Sequence, residues 1–303
     1  MKEIIEEINQ LKKEKNAVIL AHYYVDGAIQ DIADYLGDSY YLSKIAFDCP
    51  QDVIVFAGVE FMGESAKLLS PNKTVLMPDA NADCPMAHMV DEQFINNMRE
   101  QYDDLCVVCY INSTAKIKTL SDVCVTSSNA KKIVGALPNK NILFIPDQNL
   151  GHHIAKMFPE KNFLFCDGHC PSHYQITVED LKKAKAAHPN APILIHPECK
   201  PECVALSDYA GSTSGIIDYA TNDNEHDEFI VVTEVGVIHE MEKQNPNKKF
   251  YLASEKLVCP NMKKNTLEKV RDCLKYGLNK VELDGEFMAK AKKPLERMHE
   301  LAK

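Results

Sequence analysis

The chain has 303 residues, of which 45% are hydrophobic and 26% are charged, and its net charge is −10. That composition excludes a disordered, collagenous or fibrous protein, and the negative charge disfavours nucleic acid and anionic membranes as partners. The sequence contains no run of 18 apolar residues, so we expect no membrane-spanning helix.

The first predicted element is a charged amphipathic helix over residues 1–16, which lacks the apolar core of a secretory signal. We therefore expect a cytoplasmic protein in a reducing compartment, where a disulfide framework does not form. The chain nevertheless contains 11 cysteines. Their number calls for another explanation, which is burial, metal binding or redox chemistry.

Short apolar runs predict buried strands, and helical patterns lie between them. One pattern gives residues 29–36 a single apolar face, and capping boxes are predicted for Thr177 with Asp180 and for Asn265 with Glu268. This alternation predicts an α/β protein whose parallel sheets are covered by helices on both faces. The predicted strands cover residues 17–20, 52–57, 74–77, 105–111, 141–145, 163–166, 192–195, 229–232 and 250–253.

The chain repeats one template three times. Each copy contains a His or Tyr, an Asp 12 residues later, a hydroxyl residue five positions further, and finally a Cys-Pro pair. Several ordered landmarks that recur together indicate a threefold duplication, although length alone suggests two domains. We predict units over residues 1–103, 104–190 and 191–303. The landmarks are His22, Asp34, Ser39 and Cys84; Tyr110, Asp122, Ser127 and Cys170; and His196, Asp208, Thr213 and Cys259.

The three Cys-Pro pairs are expected to meet, because ligands of α/β sheets bind at the carboxyl ends of strands. The spacing of Cys84, Cys170 and Cys259 matches neither a zinc ribbon nor a ferredoxin motif. Three thiolates suit a 4Fe-4S cluster with one iron that lacks a protein ligand and acts as a Lewis acid. The alternative is three thiols buried under Cys-Pro turns.

The other eight cysteines are predicted to be core or surface thiols. Cys106 and Cys109 lie within a predicted strand, where residues three apart face opposite sides. Cys199 and Cys203 have a weaker alternative as a disulfide or a metal site.

Polar side chains near three strand ends are candidates for substrate binding and proton transfer. They belong to the triplets His22-Tyr23-Tyr24, Tyr110-Ile111-Asn112 and His196-Pro197-Glu198. A lone histidine at a strand end is more often structural, so that alternative stays open. Ser39, Ser127 and Thr213 are interpreted either as ligands of a carboxylate or phosphate, or as helix N-caps. His173 is expected to line a cavity over the cysteines, whereas His152, His153 and His239 are expected to pack or face solvent.

Several stretches of the sequence carry a family resemblance: ILAHYY, QDIADYLGDS, FAGVEFMGESAKLL, PDANADCPMA, YINSTAKIKTLSDVCVTSSNA, PDQNLGHHIA, GHCPSH, IHPEC, DYAGSTSGI and CPNMKKNTLEKV. Together they resemble quinolinate synthase along nearly the whole chain. The resemblance implies three homologous α/β/α sandwich domains with parallel sheets around a pseudo-threefold axis, and a 4Fe-4S cluster held by Cys84, Cys170 and Cys259. Ala253 and Lys256 depart from a C-x-x-C-x-x-C that some members carry before the last ligand.

The implied reaction condenses iminosuccinate (iminoaspartate) with dihydroxyacetone phosphate to quinolinate, phosphate and water, in de novo NAD biosynthesis. An aspartate oxidase or aspartate dehydrogenase is the implied source of the imine. Two alternatives are an iron–sulfur electron-transfer or binding protein, and a zinc or metal-independent lyase. The implied catalytic residues are Glu198, Tyr24 and His196, and the expected substrate-binding residues are His22, Ser39, Tyr110, Ile111, Asn112, Ser127, His173, His196, Pro197, Glu198 and Thr213.

Overall fold

A computed structural model describes residues 2–303 and contains three four-stranded sheets in which all neighbouring strands are parallel. Helices flank the sheets, which confirms the predicted α/β class. The first unit contains β1 (Ala17–His22), β2 (Tyr35–Gly37), β3 (Val53–Ala57) and β4 (Thr74–Leu76), with α1 (Lys2–Glu14), α2 (Gly27–Gln30), α3 (Ser39–Asp48), α4 (Glu60–Leu69) and α5 (Glu92–Gln101).

The second and third units repeat this arrangement. The second contains β5 (Leu105–Tyr110), β6 (Val123–Val125), β7 (Asn141–Ile145) and β8 (Asn162–Phe165), with α6 (Ala115–Lys118), α7 (Ala130–Ala136), α8 (Gln148–Ala155), α9 (Pro171–Tyr174) and α10 (Val178–Ala187). The third contains β9 (Ile193–Ile195), β10 (Tyr209–Ala210), β11 (Glu228–Val232) and β12 (Lys249–Leu252), with α11 (Pro201–Val204), α12 (Thr213–Asn222), α13 (Val237–Gln244), α14 (Leu267–Tyr276) and α15 (Gly285–Leu301).

The three sheets share one strand order. They read β2-β1-β3-β4, β6-β5-β7-β8 and β10-β9-β11-β12, so the first strand of each unit is always second in its sheet. The registers also agree, because Leu20 pairs with Tyr35, Val108 with Val123 and Leu194 with Tyr209. Identical order and register are what a threefold duplication produces.

The repeated aspartates explain the short edge strands. Each aspartate follows a turn and binds one residue of the adjacent central strand twice, through its side chain and through its backbone N–H. These contacts fix where the edge strand begins. The side-chain oxygens accept from the N–H groups of Ile19 (Asp34, 2.8 Å), Val107 (Asp122, 2.7 Å) and Ile193 (Asp208, 2.8 Å). The backbone N–H groups donate to the carbonyls of the same residues at 2.9, 3.0 and 2.9 Å.

All nine predicted strands are confirmed, but three short edge strands were not predicted. The helix predicted over residues 29–36 is wrong, since α2 ends at Gln30 and Leu36 pairs with Ala21 inside a sheet. The Asp34 contacts favour the strand over the helical pattern. None of the helices described is long and apolar enough to cross a membrane.

One of the two predicted capping boxes is confirmed. Thr177 and Asp180 cap each other at the start of α10. The second prediction is wrong by one residue, because Thr266 caps α14 by accepting from the N–H of Lys269. The side chain of Asn265 is buried instead and donates to the carbonyls of Gly58 and Met262.

The core is continuous across the first two units and separate in the third. One apolar cluster joins the first and second sheets with α14 and α15, whereas the third sheet has its own cluster on each face. Successive residues of its strands face opposite sides, so Ile193 and Ile230 belong to one cluster and Leu194 and Phe229 to the other. Helix α14 packs on α1 and β3, and α15 packs on β6, α4 and α6. The boundaries at residues 103 and 190 stay a prediction.

Candidate active site

One cavity is lined by residues of all three units at the carboxyl ends of the central strands. Its wall contains thirteen of the residues predicted to bind metal or substrate or to act in catalysis. Ile111 and Pro197 are buried but do not line it. The predicted residues on the wall are His22, Tyr24, Ser39, Cys84, Tyr110, Asn112, Ser127, Cys170, His173, His196, Glu198, Thr213 and Cys259.

Three hydroxyl residues lie at or just before helix N-termini, but they are not the N-caps. Asp38 caps α3 by accepting from the N–H of Tyr41, and Ser212 caps α12 by accepting from the N–H of Gly215. Asn129 precedes α7. The N-cap interpretation of Ser39, Ser127 and Thr213 is therefore wrong, and their hydroxyls remain on the cavity wall.

The three Cys-Pro pairs each begin a helical turn that places backbone N–H groups against the sulfur. Cys84 precedes a 3-10 helix (Pro85–His88), Cys170 precedes α9, and Cys259 is followed by a second 3-10 helix (Met262–Lys264). In every case a backbone N–H two or three residues after the cysteine lies near its sulfur and lowers the pKa of the thiol. These donors are Met86 and Ala87 for Cys84, His173 for Cys170, and Asn261 and Met262 for Cys259.

The three thiols are also close enough to influence one another. Burial, with smaller contributions from Cys259 and Glu198, raises the pKa of Cys84 to about 12. Burial also raises the pKa of Cys170 and of Cys259. Because a bound metal requires thiolates, metal binding would release these protons, and the N–H groups would stabilise the resulting charge. Three thiols, each with amide donors, are a donor set that fits an iron–sulfur cluster.

The remaining eight cysteines are free and buried. Cys106 and Cys109 lie within β5, as predicted, and Cys109 pairs with Cys124 of β6. Cys199 and Cys203 form no disulfide; their thiols bond to the carbonyls of Val232 and Ile176 instead. None of the eight lines the cavity.

A buried carboxylate occupies the centre of the polar wall. Glu198 accepts a hydrogen bond from the Tyr110 hydroxyl at 2.7 Å, and its other oxygen lies 2.8 Å from Nδ1 of His173. Burial raises the pKa of Glu198, but His196, His173 and Tyr110 together outweigh that effect and lower it. Glu198 is therefore ionised at neutral pH and can accept a proton. Ligand atoms of Cys170, His173 and Glu198 lie within 4.8 Å of one another and form a second possible metal site.

His22 and His196 are equivalent in the repeat and share one hydrogen-bond geometry. In each ring Nδ1 accepts the backbone N–H two residues later, from Tyr24 at 3.2 Å and from Glu198 at 3.3 Å. Burial lowers the pKa of His22 to about 3 and that of His196 to about 4. Both rings are therefore neutral at neutral pH, with the proton on Nε2, which can donate to an anionic ligand. Nε2 of His196 lies 3.3 Å from the Ser127 hydroxyl.

Tyr24 reaches the cavity from the first unit and bonds to two threonines of the third. Its hydroxyl lies 2.8 Å from Oγ1 of Thr213 and 2.7 Å from Oγ1 of Thr233. Burial, with a contribution from Glu198, raises the pKa of Tyr24 well above its usual value. Tyr24 is therefore a protonated phenol at neutral pH.

Two buried carboxylates behind the cysteines were not predicted. Asp147 accepts the backbone N–H of Cys170, and Glu234 accepts that of Cys259, each at 3.1 Å. Both lie two residues after the end of a third strand in their unit, namely β7 and β11. That shared position in the repeat is the signal that could have found them.

The histidines outside the wall lie where the sequence suggests. His152 stacks on Phe165 and His239 lies 3.0 Å from Asp31 on the surface. His169 is partly exposed and packs against Tyr174.

Comparison with known proteins gives a full-length match. Residues 6–300 match the family model described as quinolinate synthetase A protein. A quinolinate synthase of Clostridioides difficile is 54% identical over 301 residues, which cover 99% of each chain. One of Caldicellulosiruptor bescii is 52% identical over 97% of each chain, and one of Fusobacterium nucleatum is 53% identical over 97% of this chain and 98% of its own. The chain belongs to the quinolinate synthase family of enzymes.

Proposed function

We propose that the chain condenses iminosuccinate with dihydroxyacetone phosphate to quinolinate, phosphate and water in its central cavity. The observation that carries this proposal is the meeting of three repeat-equivalent thiols with the Glu198 network on one wall. Membership of the family supports it. The three units each contribute to that wall, so the whole chain is needed to form it.

We further propose that Cys84, Cys170 and Cys259 hold a 4Fe-4S cluster. The three thiols share one cavity, each has backbone N–H donors, and no fourth cysteine lines the wall. When bound, such a cluster supplies a Lewis acid at the iron that has no protein ligand.

The side chains divide into those that move protons and those that hold oxygens. Glu198 is the ionised carboxylate that accepts a proton during isomerisation and dehydration, and Tyr24 is the protonated phenol that donates one. Nδ1 of His196 accepts the backbone N–H of Glu198 and so fixes the position of that residue on the wall. The side-chain oxygen of Asn112 is buried without a hydrogen-bond partner among residues 2–303, which leaves it available to a substrate donor.

The carboxylate and phosphate oxygens of the substrates are held by polar groups that line the cavity. The Nε2 donors of His22 and His196 and the hydroxyls of Ser39, Ser127 and Thr213 all line the cavity. Neutral donors suit this task because they bind anions without fixing a countercharge next to the reacting atoms.

The source of the imine and the compartment of the reaction can also be inferred. The imine substrate is unstable, so an aspartate oxidase or aspartate dehydrogenase supplies it. We place the reaction in the cytoplasm because all eleven cysteines are free, as expected in a reducing compartment.

The test is anaerobic purification followed by iron and sulfide analysis, an absorption spectrum and an assay. We expect a brown protein with about four irons per chain that forms quinolinate and phosphate from dihydroxyacetone phosphate and enzymatically generated iminosuccinate. A colourless, iron-free and active protein would instead support a lyase without a cluster. A brown protein without synthase activity, whose spectrum is unchanged by substrate analogues, would support an electron-transfer or binding protein.

A further inference from the structure

A single series of close polar contacts connects the proton-transfer residues of all three units. It contains six side chains, and five of them line the cavity. The sixth is Thr233, which lies between His173 and Tyr24 and links them. The successive distances are Tyr110 to Glu198 2.7 Å, Glu198 to His173 2.8 Å, His173 to Thr233 3.0 Å, Thr233 to Tyr24 2.7 Å and Tyr24 to Thr213 2.8 Å.

Thr233 differs from the other five because it is fully buried and does not line the cavity. It immediately follows β11, and the strand pairings identify its counterparts in the other units. Ala57, Ile145 and Val232 pair with equivalent residues of the central strands, so the next residues, Gly58, Pro146 and Thr233, are also equivalent. Gly58 and Pro146 have no hydroxyl. Only the third unit therefore has a hydrogen-bonding side chain at this position.

The partners of Thr233 set the direction of its hydrogen bonds. An ionised Glu198 can only accept, so Nδ1 of His173, which also lies 3.2 Å from Sγ of Cys170, carries a proton. In the Nδ1–H tautomer, Nε2 is an acceptor. Thr233 has one hydroxyl proton and donates it to that Nε2. Its oxygen then accepts the proton of Tyr24, whose own oxygen accepts from Thr213.

We infer that Thr233 is a positioning residue for Tyr24. Its hydroxyl holds the phenol in place at the cavity wall, while Thr233 itself does not touch the substrate. This inference rests on the proposed function, since Tyr24 acts as a proton donor there.

The test is a double-mutant cycle with Thr233→Val, Tyr24→Phe and the double variant, measured as kcat and KM of quinolinate formation. Valine has the shape of threonine without the hydroxyl. We expect Thr233→Val to lower kcat about tenfold or more with little change in KM, and Thr233→Ser to restore most of it. In the Tyr24→Phe background the same substitution is expected to have almost no further effect, because there is no phenolic hydroxyl left for Thr233 to hold.

Ser70→Ala is the matched control, since it removes a buried hydroxyl that donates to the Ala46 carbonyl in the first unit. It should leave kcat unchanged. Equal losses from Thr233→Val in both backgrounds, or no loss in either, would overturn the inference. Thr233→Ala removes the same hydroxyl if the valine variant does not fold. A wild-type protein that forms no quinolinate would overturn the proposed function itself, which separates the two failures.

Discussion

The repeated aspartates and the repeated cysteines recur with similar regularity but occupy different regions of each unit. Asp34, Asp122 and Asp208 lie between an edge strand and a central strand, where each binds backbone groups of its own unit. Asp34 also accepts from the side chain of Lys12, and Asp122 from that of Arg99. The repeated cysteines lie in the loops at the cavity, where the three units meet. Regular spacing therefore indicates duplication, whereas position relative to the strand ends indicates which copies can act together.

The largest expected difference between these regions concerns the cysteines. Cys84→Ser, Cys170→Ser or Cys259→Ser should each lower synthase activity about a thousandfold or more, because a serine hydroxyl is a poor ligand for iron in a cluster. Activity and iron content of the anaerobically purified variants measure this. Cys106→Ser is the control, since Cys106 is buried within β5. Full iron content in all three cavity variants would contradict the ligand assignment.

A smaller loss is expected from the carboxylate at the centre of the wall. Glu198→Gln keeps the size of the side chain but cannot accept a proton, so we expect kcat to fall about 100-fold or more with iron content unchanged. Glu202→Gln, on the exposed surface of α11, is the matched control. Normal turnover by Glu198→Gln would refute its role as a base.

The cavity histidines should make stability depend on pH. The folded pKa values of His22 and His196 are about 3 and 4, below the ordinary value of 6.5, so the unfolded chain binds more protons. The stability that each neutral ring contributes is fully present above pH 6.5. It is lost as the pH falls toward the folded pKa of that ring, about 3 for His22 and about 4 for His196. At pH 5 each histidine should lower the free energy of unfolding by about 2 kcal/mol.

Urea unfolding at pH 7 and pH 5 measures this dependence. His196→Gln should lose less stability than the wild type between these two values, whereas His152→Gln, exposed on α8, should lose as much as the wild type. An unchanged pH dependence in His196→Gln would show that burial does not hold this ring neutral.

The smallest expected effect concerns the edge strands. Asp208→Ala removes the side-chain hydrogen bond to Ile193 and should lower the free energy of unfolding by about 1 kcal/mol, with kcat unchanged. Asp218→Ala, exposed on α12, should change neither quantity. A loss of activity without a loss of stability in Asp208→Ala would contradict the division between the two regions.

Much of the fold follows from the sequence because the central strands are continuous apolar runs. The edge strands β4, β8 and β12 were predicted in this way, but β2, β6 and β10, each of two or three residues, were not. Their existence depends on the aspartate contacts with a neighbouring strand. The apolar spacing over residues 29–36 predicted a helix because spacing alone carries no information on that contact.

The candidate site also contains some residues that the sequence predicts and others that it does not. The cysteines, histidines and hydroxyl residues could be predicted because they recur in the repeat or match the family's motifs. Thr233 could not, since its position has Gly58 and Pro146 in the other units, and its partner Tyr24 is 209 residues away in the chain. Asp147 and Glu234 bind the N–H groups of cysteines 23 and 25 residues further on, which local patterns do not show.

The most direct test of the central claim is a Mössbauer spectrum of the ⁵⁷Fe-loaded protein with and without quinolinate. Three cysteine ligands on a 4Fe-4S cluster predict that about a quarter of the iron changes its signal when quinolinate binds, while the rest stays the same. A spectrum in which no iron responds to quinolinate, or in which all the iron responds equally, would contradict the account.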